Sequence, residues 1–188
     1  MQHLERLDKR EPDSVPKRNV ATAALLQVVG EVHEIVPAVA GGNVMPLLEA
    51  AYAVGLSPVH PRSETGAGFL ANGIAWESEV PTLCLVITSP GVYGLMQALY
   101  AAYVNRRPLV VVSGEVAATG VGSVQAGEGW DGPSVAAVTR PLTAWSFDAS
   151  TPLAAVRCVR RGVALARERR LPVHLNIPLS VQKAEAVC

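Results

Sequence analysis

The chain has 188 residues, 49% of them hydrophobic and only 17% charged, which is too apolar for a disordered chain and enough for one domain-sized core. Sixteen basic and sixteen acidic residues cancel, which excludes the strongly basic profile of a protein built to grip nucleic acid or an anionic membrane. Cys84, Cys158 and Cys188 fit neither a disulfide framework nor a zinc site, and no apolar run approaches the roughly 20 residues that span a bilayer, so a soluble cytoplasmic protein is expected.

Residues 1–18 mix charges with Pro12 and Pro16 and lack apolar periodicity, which predicts a flexible N-terminal arm and leaves 19–188 as one domain. From Asn19 the texture alternates between helix-period stretches such as NVATAALLQVVGEV and short apolar runs such as TLCLVIT and PLVVVSG. In chain order the pattern predicts a helix over 20–30, a strand over 32–36, a helix over 43–54, a strand over 57–60 and a helix over 64–76. A strand over 82–88, a helix over 92–105, a strand over 108–113 and a helix over 133–139 follow, then a strand over 143–147, a helix over 152–168 and a strand over 172–177. Alternation of this kind predicts an α/β fold: a single doubly wound domain with a six-stranded parallel sheet and helices on both faces.

In such sheets ligands gather outside the carboxyl ends of the strands. The segments there are Gly-rich: Ala40-Gly41-Gly42-Asn43, Thr88-Ser89-Pro90-Gly91 and Ser113-Gly114-Glu115. None is a GxxxxGK[ST] or GxGxxG motif, so each reads either as an ordinary turn or as a wall of closely approaching backbone. Glu64, at a strand-to-helix junction, reads first as an acid in a helical first turn. The small residues Gly66, Ala67, Gly68, Ala71 and Gly73 that follow allow that helix to pack tightly. The loop Gln125–Ser134 reads as a turn before a helix capped by Asp131 or Ser134, or as a pocket rim in which Gln125 and Trp130 touch substrate. The isolated histidines read as structural. The arginines from Arg157 to Arg170 read as a solvated helix face, and no metal-ligand set is expected in this chain.

The ordered segments RSETGAGFLANGIAW, VPTLCLVITSPGVYGLMQALYAAYVNRRPLVVVSGEV, VTRPLTAWSF and LPVHLNIPLSVQ resemble the N-terminal pyrimidine-binding domain of thiamine diphosphate-dependent enzymes, most closely the acetolactate synthase group. The likeness runs from about Val20 to Gln182. It implies that Glu64 is the cofactor-activating glutamate. That residue hydrogen-bonds N1′ of the aminopyrimidine and favours the imino tautomer, whose 4′ nitrogen removes the thiazolium C2 proton. It also implies that Gly41, Gly42, Ser89, Pro90 and Gly91 wall the cofactor pocket. Ser63 stands where acetolactate synthases usually carry His, Ser89 where they carry Gly and Glu115 where they carry Gln. Trp130-Asp131 replaces a substrate-facing Phe-Gln pair, so the differences bear on substrate rather than on cofactor activation.

The family holds the diphosphate through Mg²⁺ with a Gly-Asp-Gly motif on another domain, and this sequence has no such motif. The resemblance therefore implies a pyrimidine-domain subunit of a split enzyme acting on a 2-keto acid by decarboxylation and carboligation. Thiamine diphosphate and Mg²⁺ would be completed by a separate diphosphate-binding subunit, as α₂β₂. A split decarboxylase without carboligation, or a non-catalytic structural or regulatory partner, are the alternatives.

Overall fold

A computed structural model describes residues 18–115 and 134–186. The arm expected at the N-terminus lies outside the described residues except for Arg18, as does the loop with Gln125 and Trp130. Capping hydroxyls and amides set the helix starts. Asn19 opens α1 (Val20–Leu26) by accepting from Thr22 N–H at 2.8 Å, and Ser63 opens α3 (Glu64–Ser78) by accepting from Gly66 N–H at 3.1 Å. Ser134 caps α6 (Val135–Thr139) and Thr151 caps α7 (Pro152–Arg169) in the same way. Pro46 lies in the first turn of α2 (Met45–Ala53), where its missing N–H would have had no helical acceptor.

The strands are β1 (Ile35–Pro37), β2 (Ser57–Val59), β3 (Thr82–Ile87), β4 (Leu109–Glu115), β5 (Trp145–Asp148) and β6 (Val173–Pro178). All ladders are parallel, but they do not form one six-stranded sheet. The strands β1 and β2 pair with each other, while the other four run β3-β4-β6-β5. The two sheets touch at a single bridge, Ala38 to Leu85, where Val39 N–H donates to the Leu85 carbonyl at 3.0 Å. The physical reason is local: β1 is only three residues long and ends in Pro37, which has no N–H to extend a ladder.

Three helices also depart from expectation. The first stops at Leu26, followed by turns in which Gly30 takes φ +83°. The single helix expected at 92–105 is two, α4 (Pro90–Gly94) and α5 (Met96–Val104), broken at Leu95, and Thr65 Oγ1 donates to the Gly94 carbonyl at that break. A short α8 (Leu179–Lys183) follows β6 directly, too brief to leave a periodic signal.

Alternation along the strands sorts side chains to two faces. Leu83, Leu85, Val110, Val112, Val173 and Leu175 face one way, into the core that includes α1, α2 and α7. Cys84, Val86, Leu109 and Val111 face the other way, against α3, α4 and α5. Helices therefore cover both faces, and α3 brings Glu64 to the C-terminal end of the second.

Candidate functional site

Glu64 is the first residue of α3, and it lies against the break between α4 and α5. A Cβ on Gly91 would sit 3.4 Å from Glu64 Cγ, and one on Gly94 would sit 3.3 Å from Glu64 Cβ. Both glycines thus bring backbone directly against the Glu64 stem, and a side chain at either would touch it. The helix cap is already filled by the Ser63 hydroxyl, so Glu64 is not needed for that task. Its carboxylate also reaches β3: the Cys84 thiol is pushed up to about 12, first by complete burial and then by the Glu64 charge.

The two Gly-containing turns meet around Ile87, a residue that sequence reasoning treated as plain strand. A Cβ on Gly41 would collide with Ile87 Cγ2, and one on Gly91 would lie 3.0 Å from Ile87 Cγ1. Gly41, Ile87, Gly91 and Glu64 are therefore contiguous, whereas Gly42 has nothing within 4 Å of a Cβ and faces open space. Ser89 precedes Pro90 with φ 32° and ψ −84°, a left-handed conformation that a glycine would take more readily. Ser63 is exposed and bonded as a cap, so its side chain is accounted for without substrate. His60 sits just past β2, with Nδ1 3.1 Å from the Ala38 carbonyl and Nε2 3.4 Å from the Tyr52 hydroxyl.

A polar chain lies on the same sheet face. Thr88 Oγ1 donates to Glu115 Oε2 at 2.7 Å. The Asn176 amide donates to Glu115 Oε2 at 3.3 Å and to Asp148 Oδ1 at 3.0 Å, while Asn176 Oδ1 accepts from Ser113 Oγ at 2.8 Å. Because Ser113 spends its proton on Asn176, His174 Nε2–H donates to Ser113 at 2.8 Å. Nδ1 is then the acceptor of the Thr139 hydroxyl at 2.8 Å, which in turn meets Ser146 at 2.8 Å. Full burial holds His174 neutral by lowering its pKa to about 3. The sequence signal for this chain is the spacing of polar residues at every second position: Ser113 and Glu115, His174 and Asn176, Ser146 and Asp148.

A carboxyl seated between glycines at the crevice of a parallel sheet has a counterpart among known families. Residues 18–135 match the family described as thiamine pyrophosphate enzyme, N-terminal TPP binding domain. The chain belongs to this family. It is 38% identical over 135 residues to a probable 2-ketoarginine decarboxylase of Pseudomonas aeruginosa, covering 69% of this chain and 23% of that protein. It is 26% identical over 175 residues to the acetolactate synthase large subunit of Corynebacterium glutamicum, covering 92% and 27%. A third relative, the acetolactate synthase isozyme 1 large subunit of Escherichia coli, is 31% identical over 91 residues, covering 48% and 16%. The chain thus spans about a quarter or less of the length of these curated relatives. It is an α/β domain of a thiamine diphosphate-enzyme family, and no helix among its described residues is long and apolar enough to cross a membrane.

Proposed function

We propose that this chain is the pyrimidine-domain subunit of a thiamine diphosphate-dependent enzyme acting on a 2-keto acid, completed in an α₂β₂ assembly by a separate diphosphate-binding chain. The observation that carries the reading is the placement of Glu64, a first-turn carboxyl not spent on capping and flanked by Gly91 and Gly94. The residues present fit the pyrimidine half of the cofactor: a carboxyl for the ring nitrogen, held beside a turn whose glycines bring backbone close to it. Mg²⁺ and the diphosphate are assigned to the partner chain by likeness to the family, which holds them on another domain.

In this reading Glu64 holds a proton at N1′ of the aminopyrimidine. The backbone at Gly91 and Gly94 would hold the Glu64 stem in place for that contact, and Ile87, wedged against Gly41 and Gly91, fixes the spacing of the two turns. When bound, thiamine diphosphate supplies the electron sink for loss of CO₂ from a 2-keto acid. Gly42, Ser89 and Pro90 complete the wall as backbone, and Gln125 and Trp130 are assigned to the substrate side.

Carboligation is the first reading for the later step, by likeness to acetolactate synthases. The relative named a 2-ketoarginine decarboxylase favours a second, decarboxylation alone, on a keto acid with a cationic side chain. Glu115 suits the latter, since its carboxylate stands on the Glu64 face of the sheet, held by Thr88 and Asn176. Assay of the reconstituted complex with pyruvate and with 2-ketoarginine separates the two by product: a new carbon–carbon bond or a released aldehyde. Glu64→Gln is expected to preserve assembly and lower turnover at least about 100-fold. Unchanged turnover would refute the mechanism and favour a structural role for the chain.

A further inference from the structure

On the opposite sheet face from Glu64, α7 and the turns after α1 border an open groove of about 1,130 Å³ whose lining includes Gln27, Glu31, Val156, Arg157, Arg160 and Arg161. A second cavity of about 150 Å³ adjoins it, sharing Arg157 and Arg161 and floored by Trp145, Phe147, Ala154 and Cys158. The three arginines recur at i, i+3 and i+4 on one helical face, a spacing at which like charges oppose one another. Among the described residues no carboxylate pairs with any of them. Glu31, at the rim, is engaged by Arg167 at 3.0 Å, and Arg161 lies over the Trp145 ring at 4.9 Å to its centroid. In a chain with equal numbers of acidic and basic residues, this is a local excess of positive charge beside an apolar aromatic wall, in which Trp145 and Phe147 stack at 5.0 Å.

We propose that the double cavity binds a nucleoside di- or triphosphate, with the phosphates on Arg157, Arg160 and Arg161 and the base in the smaller cavity beside Trp145 and Phe147. Guanidinium groups grip phosphate oxygens in pairs, and three of them on a rigid helix present donors without further ordering of the backbone. The smaller depression is shallow and offers an apolar floor against which one flat heterocycle can lie, and Arg157 and Arg161 stand where the ligand changes from flat and apolar to anionic. An isolated phosphate leaves the aromatic cavity unused, and an uncharged heterocycle leaves the arginines uncompensated.

Titration calorimetry on the full chain with ADP, inorganic pyrophosphate and adenosine tests this. ADP is expected to bind at one site per chain, at least about tenfold more tightly than pyrophosphate, with adenosine showing no binding; tenfold corresponds to about 1.4 kcal/mol. Arg157→Gln with Arg161→Gln is expected to cut ADP affinity at least tenfold, and Trp145→Leu to weaken ADP while sparing pyrophosphate. All three side chains lie at the surface or partly so, and circular dichroism checks the fold of each variant. Saturation transfer from the wild-type chain to the adenine protons reads the base subsite without any substitution. No ADP binding, equal affinity for ADP and pyrophosphate, retention in the arginine variant, or displacement by excess thiamine diphosphate would each overturn the proposal. Glu64→Gln is expected to bind ADP as the wild type does, so this site stands or falls separately from the catalytic reading.

Discussion

Glu64 and Ser63 divide between them two tasks that one acidic residue at a helix start could have combined. The hydroxyl satisfies the Gly66 N–H, which leaves the carboxyl unspent on the cap and beside two glycines. Ser89 shows the opposite situation, a residue held where its own geometry is unfavourable, at φ 32°. Such a conformation costs about 1–3 kcal/mol for a residue with a Cβ. Ser89→Gly is therefore expected to stabilise the chain by about 1 kcal/mol, raising the thermal midpoint by about 2–4 °C. Scanning calorimetry reads this directly, and an unchanged or lower midpoint would show that Ser89 is not strained. Glu64, Gly41 and Gly91 were each singled out in the sequence, and the structure brings them together around Ile87. Ile87 was not singled out, because a β-branched residue ending an apolar run looks like any strand residue until the two turns close on it.

Elements meet through close contacts that the sequence signals only as small residues. A Cβ on Gly68 would lie 2.7 Å from Ala98 Cβ, so α3 and α5 approach more closely than a side chain at that position allows. The interior of β4, β5 and β6 is instead tied by the polar chain through His174. Its folded pKa, about 3, lies below the ordinary 6.5, so below pH 6.5 the unfolded chain binds a proton that the folded one does not. Stability is then complete above pH 6.5 and falls as pH drops from 6.5 towards 3, by up to about 1.4 kcal/mol per unit. Urea unfolding at pH 7 and pH 5 checks this, and the slope across that window is expected to shrink in His174→Gln. A midpoint that does not fall towards pH 5 in the wild type would contradict a buried neutral imidazole. The alternating βα pattern was readable in chain order, but the split of the sheet was not, since it depends on a three-residue strand ending in Pro37. The break at Leu95 follows Gly94, a residue that weakens a helix interior but does not by itself announce an end.

At the scale of the whole molecule, α3, α4 and α5 present a broad apolar surface. Phe69, Trp76, Tyr93, Tyr100 and Val104 are each between 45% and 59% exposed, and the first two lie seven residues apart on one helical face. Asn72, one turn before Trp76, keeps its buried Oδ1 without a partner, and Arg107, stacked 3.6 Å over the Trp76 ring, does the same with Nε. A surface this apolar, bordered by unpartnered polar atoms, supports coverage by the proposed diphosphate-binding chain. Trp76→Asp with Tyr100→Asp is expected to abolish co-purification of that chain while leaving the thermal midpoint of the isolated subunit within a few degrees. Retained co-purification would place the interface elsewhere. The small-residue helices and low charge of the sequence suit a covered face, but the clustering of its aromatic residues, only 5% of the chain, is a matter of fold.

Exchange of the C2 proton of thiamine diphosphate with solvent deuterium, followed by rapid-quench NMR in the assembled complex, tests the role of Glu64 most directly. The wild-type assembly is expected to exchange at least about 100-fold faster than the Glu64→Gln assembly at equal cofactor occupancy. Equal exchange rates in the two would contradict the assignment of Glu64 to proton transfer on the aminopyrimidine.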